Sequence, residues 1–124
     1  MFKQNGVVIK LLTRLAIENL LHPFQTFILG QFNLAPKIAA KFKIPLIIYG
    51  EAPAEYGSPI AENEVSLKDK AFYSYKNLNQ VYLGGVSIKE LVEKYEVSLA
   101  DLMTYLPPTI EEISGSGVEV HHLG

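Results

Sequence analysis

The chain has 124 residues, 48% of them hydrophobic, and no cysteine, which fits one domain with enough apolar side chains for a core and excludes disulfides, thiolate metal sites and cysteine nucleophiles. A net charge of −2 hides a polarised sequence, because residues 1–43 carry six Lys/Arg and one Glu while residues 44–124 carry five Lys and twelve Asp/Glu. In most soluble domains such an imbalance is solvated surface, and otherwise it marks a basic face for an anion or an acidic partner.

The opening MFKQNGVVIKLLTRLAIENLLHP lacks the order of parts of a signal peptide, since Arg14 and Glu18 interrupt its apolar run. No apolar run approaches the roughly 20 residues needed to span a bilayer. A soluble, cytoplasmic protein without a membrane partner is therefore expected. Val7, Val8, Leu11, Leu12, Leu15 and Ile17 predict a helix over residues 7–21 that wants cover on nearly every side, with Lys10, Arg14 and Glu18 as one polar stripe. Asn5 is the expected cap and Pro23 the stop.

Residues 24–32 are apolar and fit either a helical turn or an extended piece. Asn33 is placed to cap a second helix over residues 34–42, with Pro36 in its first turn, where the missing N–H does no harm. Leu46 to Tyr49 then reads as a buried strand, so helix, short loop and strand form half of a βαβ unit in a parallel sheet. Residues 58–86 read as a long polar excursion. Ser87 with Glu90, Ser98 with Asp101 and Thr109 with Glu112 match the capping-box spacing and predict short helices near 88–95, 99–105 and 110–113. Val118 to His122 alternates as a terminal strand does. The chain thus divides into residues 1–57 (helix, helix, strand), 58–86 (excursion) and 87–124 (short helices and a strand).

Ligands of open parallel sheets bind beyond the carboxyl ends of the strands, which singles out Gly50, Glu51, Glu55, Tyr56 and Gly57. Glu51 and Glu55 have the chemistry to act as general acid and base, or to hold a Mg²⁺ that bridges phosphates; solvated loop charges are the bland reading. Gly57 permits close backbone approach, and Tyr56 is either a ligand contact or a packed aromatic. His22 and Gln31, polar residues in apolar surroundings, are candidates for the same mouth and equally for satisfied core groups. His121 and His122 are adjacent, so a strand points them to opposite faces and one metal cannot take both. SIKELVEKYEVSLADLMTYL imitates a helix-turn-helix, but Asp101, Thr104 and Tyr105 on its second helix suit neither phosphates nor base edges, so no nucleic-acid partner is expected.

The phrases LLTRLAIENLLHPFQ, GQFNLAPKIAAKFKIPLIIYGE, AEYGSPIAEN, YLGGVSIKELVEKY and VEVHHLG together resemble the N-acetyl sugar amidotransferase family of the ATP pyrophosphatase class. The resemblance implies a fold: α/β, a partial adenine-nucleotide alpha-hydrolase-like (Rossmann-like) parallel-sheet fragment with a mostly helical C-terminal half. It also implies an activity, conversion of a sugar acetamido group to acetamidino in bacterial lipopolysaccharide, O-antigen or other surface-glycan biosynthesis. ATP and Mg²⁺ would be the cofactors, an N-acetyl sugar linked to a nucleotide the substrate, and a glutaminase the source of ammonia.

Under that resemblance Glu55 is assigned to Mg²⁺ or the activated amide, Glu51 to orientation or proton transfer, and Gln31 with Tyr56 to the sugar. The family's SGGxDS nucleotide loop and its cysteine pairs are missing from this sequence, so the chain resembles an internal slice that is inactive by itself. Where the family reads Gly-Glu-Asn at the strand end, this chain has Gly50, Glu51 and Ala52, which removes the expected amide at position 52. A free-standing protein-interaction module is the alternative expectation. An enzyme fragment would expose a large apolar patch where further strands pack, whereas a module would be monodisperse.

Overall fold

The computed structural model describes residues 3–50 and 74–123. It is a mixed α/β arrangement of five α-helices and two small sheets. Helix α1 (Gly6–Leu20) starts where Asn5 accepts a hydrogen bond from the Val7 amide at 3.0 Å. It ends at Leu21 in the left-handed conformation, and Pro23 lies two residues beyond. Among the described residues Val8, Leu12, Leu15 and Ala16 form the covered stripe of α1. Val7 and Ile17 stay exposed.

Helix α2 (Gln25–Phe42) begins nine residues before the expected start at Leu34 and absorbs the ambiguous segment. Asn33 is therefore no cap. It lies buried in mid-helix, and its Nδ2 donates to the Tyr105 carbonyl over 2.7 Å. Pro36 is likewise interior rather than in the first turn. A proline there leaves the carbonyl four residues earlier, that of Phe32, without its helical donor. The Tyr49 hydroxyl supplies one at 2.9 Å.

Strand β1 (Leu46–Tyr49) follows, and the excursion closes with a 3-10 turn (Leu78–Gln80) and a hairpin of β2 (Tyr82–Leu83) and β3 (Val86–Ser87). Gly84 and Gly85 turn the hairpin with φ of 60° and 77°, the pair of positive values that a type I′ turn needs. The tip lies on α1, held by Asn19 Nδ2 donating to the Gly84 carbonyl and by the Gly84 amide donating to Gln25 Oε1, each at 3.0 Å.

Three short helices come next, α3 (Ile88–Glu93), α4 (Leu99–Leu102) and α5 (Ile110–Ser116). The Thr109–Glu112 capping box forms completely and Ser87 accepts from the Glu90 amide. Ser98 makes no cap bond, and Asp101 accepts instead from Asn5 at 3.2 Å. Leu83, Val86, Ile88, Leu91, Leu102 and Tyr105 pack with Leu12 and Leu15 of α1 as the larger core.

Strand β4 (Glu119–His122) pairs with β1 in parallel, Leu46 beside Glu119 and Tyr49 beside His122. Ile47, Tyr49 and Val120 face inward on Ala39 of α2 and Ile113 of α5. The other face is open: Leu46 is 47% and Ile48 54% exposed, so the strand is half-exposed rather than buried. None of the described helices is long and apolar enough to cross a membrane.

Candidate functional site

Because α2 runs toward the start of β1 and β1 returns along it, the carboxyl end of the strand comes back to mid-helix. Gln31, Phe32, Tyr49 and Gly50 there line a cavity of about 510 Å³, within the usual size of small-molecule sites. It opens beyond the carboxyl ends of a parallel strand pair, the position at which open α/β sheets bind ligands. Of the residues expected at the mouth, the structure brings Gln31 and Gly50 together. His22 is not among the described residues lining it. It sits exposed in the α1–α2 turn, where its carbonyl accepts from the Gln25 amide at 3.3 Å. The turn and then six helical steps of about 1.5 Å each, from Gln25 to Gln31, separate His22 from the Gln31 level of α2. Glu51, Glu55, Tyr56 and Gly57 lie outside the described residues.

The wall of the cavity is aromatic. The Phe32 and Tyr49 rings lie 5.3 Å apart at 44°, Tyr49 and His122 5.0 Å apart at 30°, and Phe32 and His122 6.2 Å apart at 20°. Tilted and offset contacts at these separations are the favoured aromatic geometry. His122, 4% exposed, reaches the cluster because the parallel register sets it beside Tyr49 on the inner face. His121 points the other way and contacts Glu119 Oε2 at 3.3 Å. The reading that the two imidazoles face apart therefore holds, and among the described residues no group of three His, Cys, Asp or Glu side chains is placed to hold a metal.

Burial pushes the Tyr49 phenol up to about 12. Near neutral pH it is a protonated donor committed to the Phe32 carbonyl, which makes it wall rather than acid or base. Gln31, exposed at the rim, brings an amide with two donors and one acceptor oxygen, and Gly50 brings backbone without side-chain bulk. The described part can thus hold a ligand with an apolar surface and an amide or hydroxyl edge.

At the starts of α1, α3 and α5 a first-turn amide is already taken by the side chain of Asn5, Ser87 and Thr109 respectively. Phe32, Tyr49 and His122 were not singled out as a site by sequence reasoning. The available signal was parity: Tyr49 and His122 are each the last residue of a strand.

A second cavity, of about 520 Å³, lies between α2 and residues 74–83 and is lined in part by Asn33, Asn77 and Tyr105. Its two asparagines are engaged, Asn33 with the Tyr105 carbonyl and Asn77 with the Asn79 amide. None of the described residues lining it stands at the carboxyl ends of the parallel β1–β4 pair; Tyr82 and Leu83 of β2 line it instead. The cavity at Gly50 is the better candidate on both counts. No protein-family model matches this chain, and no curated protein matches it at a significant level.

Proposed function

We propose that the chain is the sugar-facing part of an ATP-dependent N-acetyl sugar amidotransferase, acting in the cytoplasm in surface-glycan biosynthesis. The observation that carries this reading is the cavity beyond β1, with Gln31 and Gly50 beside the Phe32–Tyr49 wall. Sugars are bound by aromatic and apolar contact on one face and by amide or hydroxyl hydrogen bonds at the edge, and this cavity combines the two. An acetamido substituent would set its methyl against Phe32 and its amide against Gln31.

The open face of Leu46 and Ile48 supports a Rossmann-like sheet. Doubly wound sheets are covered on both faces, and an apolar outer face is what a second helical layer would need. Glu51 and Glu55 continue directly from Gly50 and remain the proposed catalytic carboxylates, Glu55 with Mg²⁺, and Tyr56 and Gly57 the proposed further sugar contacts. ATP and glutaminase-derived ammonia would be met outside the described residues.

The test is an NMR titration of the chain with UDP-N-acetylglucosamine as probe. Amide shifts clustered at Gln31, Phe32, Gly50 and His122 are expected. Shifts confined to residues 74–83, or none at millimolar probe, would sink the assignment.

A further inference from the structure

At the corner where α1 turns into α2, large apolar residues stand exposed, one of them at a position where the fold favours glycine. Leu21 ends α1 with φ 52°, a conformation that glycine adopts at least cost, and it is 86% exposed. Phe24 stands just before α2 with no side-chain hydrogen bond, and it is 65% exposed. Ile17, Leu20 and Phe27 are exposed beside them. Solubility argues against these choices, and at Leu21 local stability does too. A conflict of that kind marks a surface that is covered in use.

Charge identifies the cover. The exposed side of α1 leading into the corner carries Lys10 and Arg14 four residues apart, and Glu18 is the only acidic residue among residues 1–43 against six Lys/Arg. Glu18 meets Arg14 at 3.6 Å with both side chains more than half exposed, a pairing that water and salt weaken. A helix–helix corner with an apolar tip and a cationic shoulder fits an interface of acyl chains below anionic headgroups.

We propose that the α1–α2 corner docks peripherally on an anionic lipid surface. Leu21 and Phe24 enter the headgroup layer, and Lys10 and Arg14 meet the phosphates.

Vesicle flotation of the full chain tests this, with phosphatidylglycerol-rich and pure phosphatidylcholine vesicles in parallel. The unaltered chain should float only with the anionic vesicles. Leu21→Gly combined with Phe24→Ser should lower partitioning about tenfold or more. Leu21→Gly installs the residue that the left-handed helix end prefers, and Phe24 is exposed, so the melting temperature should hold, which separates lost docking from lost fold. Lys10→Glu with Arg14→Glu should also release the chain, as should salt that shortens the Debye length from about 10 Å to about 3 Å. Equal flotation with neutral vesicles, undiminished binding by the Leu21→Gly/Phe24→Ser chain, or no flotation at all overturns the proposal. Self-association abolished by that same pair, without vesicle binding, would assign the corner to a second copy instead.

Discussion

The Tyr49 hydroxyl and the Phe32 carbonyl, 2.9 Å apart, repair the one backbone bond that Pro36 removes from α2. The repair ties the end of β1 to the middle of the helix and thereby sets the depth of the cavity between them. Tyr49→Phe should leave that carbonyl unpaired and cost about 1–2 kcal/mol. In a Pro36→Ala background alanine restores the helical donor, so the same change should cost clearly less. Urea denaturation of the four chains in a double-mutant cycle measures the difference. Equal costs in both backgrounds would mean that the hydroxyl does not serve the Phe32 carbonyl.

Stability should fall in alkali partly through Tyr49. Its phenol is raised to about 12 in the folded chain, against about 10 for a free tyrosine. Between those values the unfolded chain has lost the proton and the folded chain keeps it. The contribution is therefore complete below about pH 10 and lost as pH rises toward 12. Tyr75 and Tyr105 are raised as well, each first by burial and then by nearby carboxylates, so Tyr49→Phe should flatten the decline without abolishing it. Melting temperatures from pH 9 to 12 decide the point, and an unchanged slope would refute the role of Tyr49.

The hairpin tip is predicted to tolerate no side chain. A Cβ on Gly85 would come 2.7 Å from Asn19 Cβ, and one on Gly84 3.0 Å from the Leu12 carbonyl oxygen. Both positions also have positive φ, which costs an L-residue roughly 1–2 kcal/mol by itself. Gly85→Ala should be the worse, because its approach is the closer and the Cβ of Asn19 is fixed to the α1 backbone and cannot swing aside. A loss of about 2–4 kcal/mol is expected for Gly85→Ala. Chemical denaturation checks it, with Gly115→Ala as control since nothing lies within 4 Å there.

Legibility of this fold from sequence divides along the range of the interactions. Asn5 and the Thr109–Glu112 box were readable because their partners lie within a few residues, and the alternation before His122 because the strand period of two shows in the sequence itself. Asn33 and Pro36 misled for the opposite reason. Both are residues of helix starts, yet each sits inside α2 because a distant group, the Tyr105 carbonyl for Asn33 and the Tyr49 hydroxyl for the bond lost at Pro36, satisfies what the local sequence leaves open. The β2–β3 hairpin has two-residue strands, too short for alternation to register, although Gly84-Gly85 was a usable turn signal. At the site, Gly50 and Gln31 were legible from their relation to one strand. The aromatic wall was not, since it needs the register of β1 on β4 and the helical path of residues 25–32.

Asn33→Leu should separate the helix preference of that position from its tertiary bond. Leucine is the better helix former and fills a similar volume, so a local account predicts a gain. The buried Tyr105 carbonyl would lose its 2.7 Å donor, and an unpaired buried acceptor costs about 1–3 kcal/mol. A net loss in urea stability is expected. A gain would show that the carbonyl finds water or another donor.

Gln31 offers the sharpest test of what the cavity reads. It is exposed, and surface substitutions of this kind change stability by no more than about 0.5 kcal/mol, so Gln31→Ala should fold as the parent chain does. If its amide pairs with an acetamido group, the variant should lose about five- to tenfold in affinity for UDP-N-acetylglucosamine, the worth of one neutral hydrogen bond of roughly 1–1.4 kcal/mol. UDP-glucose, with a hydroxyl in place of the acetamido group, should bind both chains nearly alike. Isothermal titration of the two probes against the two chains gives four affinities, and the quantity that matters is the difference of differences. A fall confined to the acetamido sugar supports the pairing; an equal fall for both sugars would mean that Gln31 only shapes the rim.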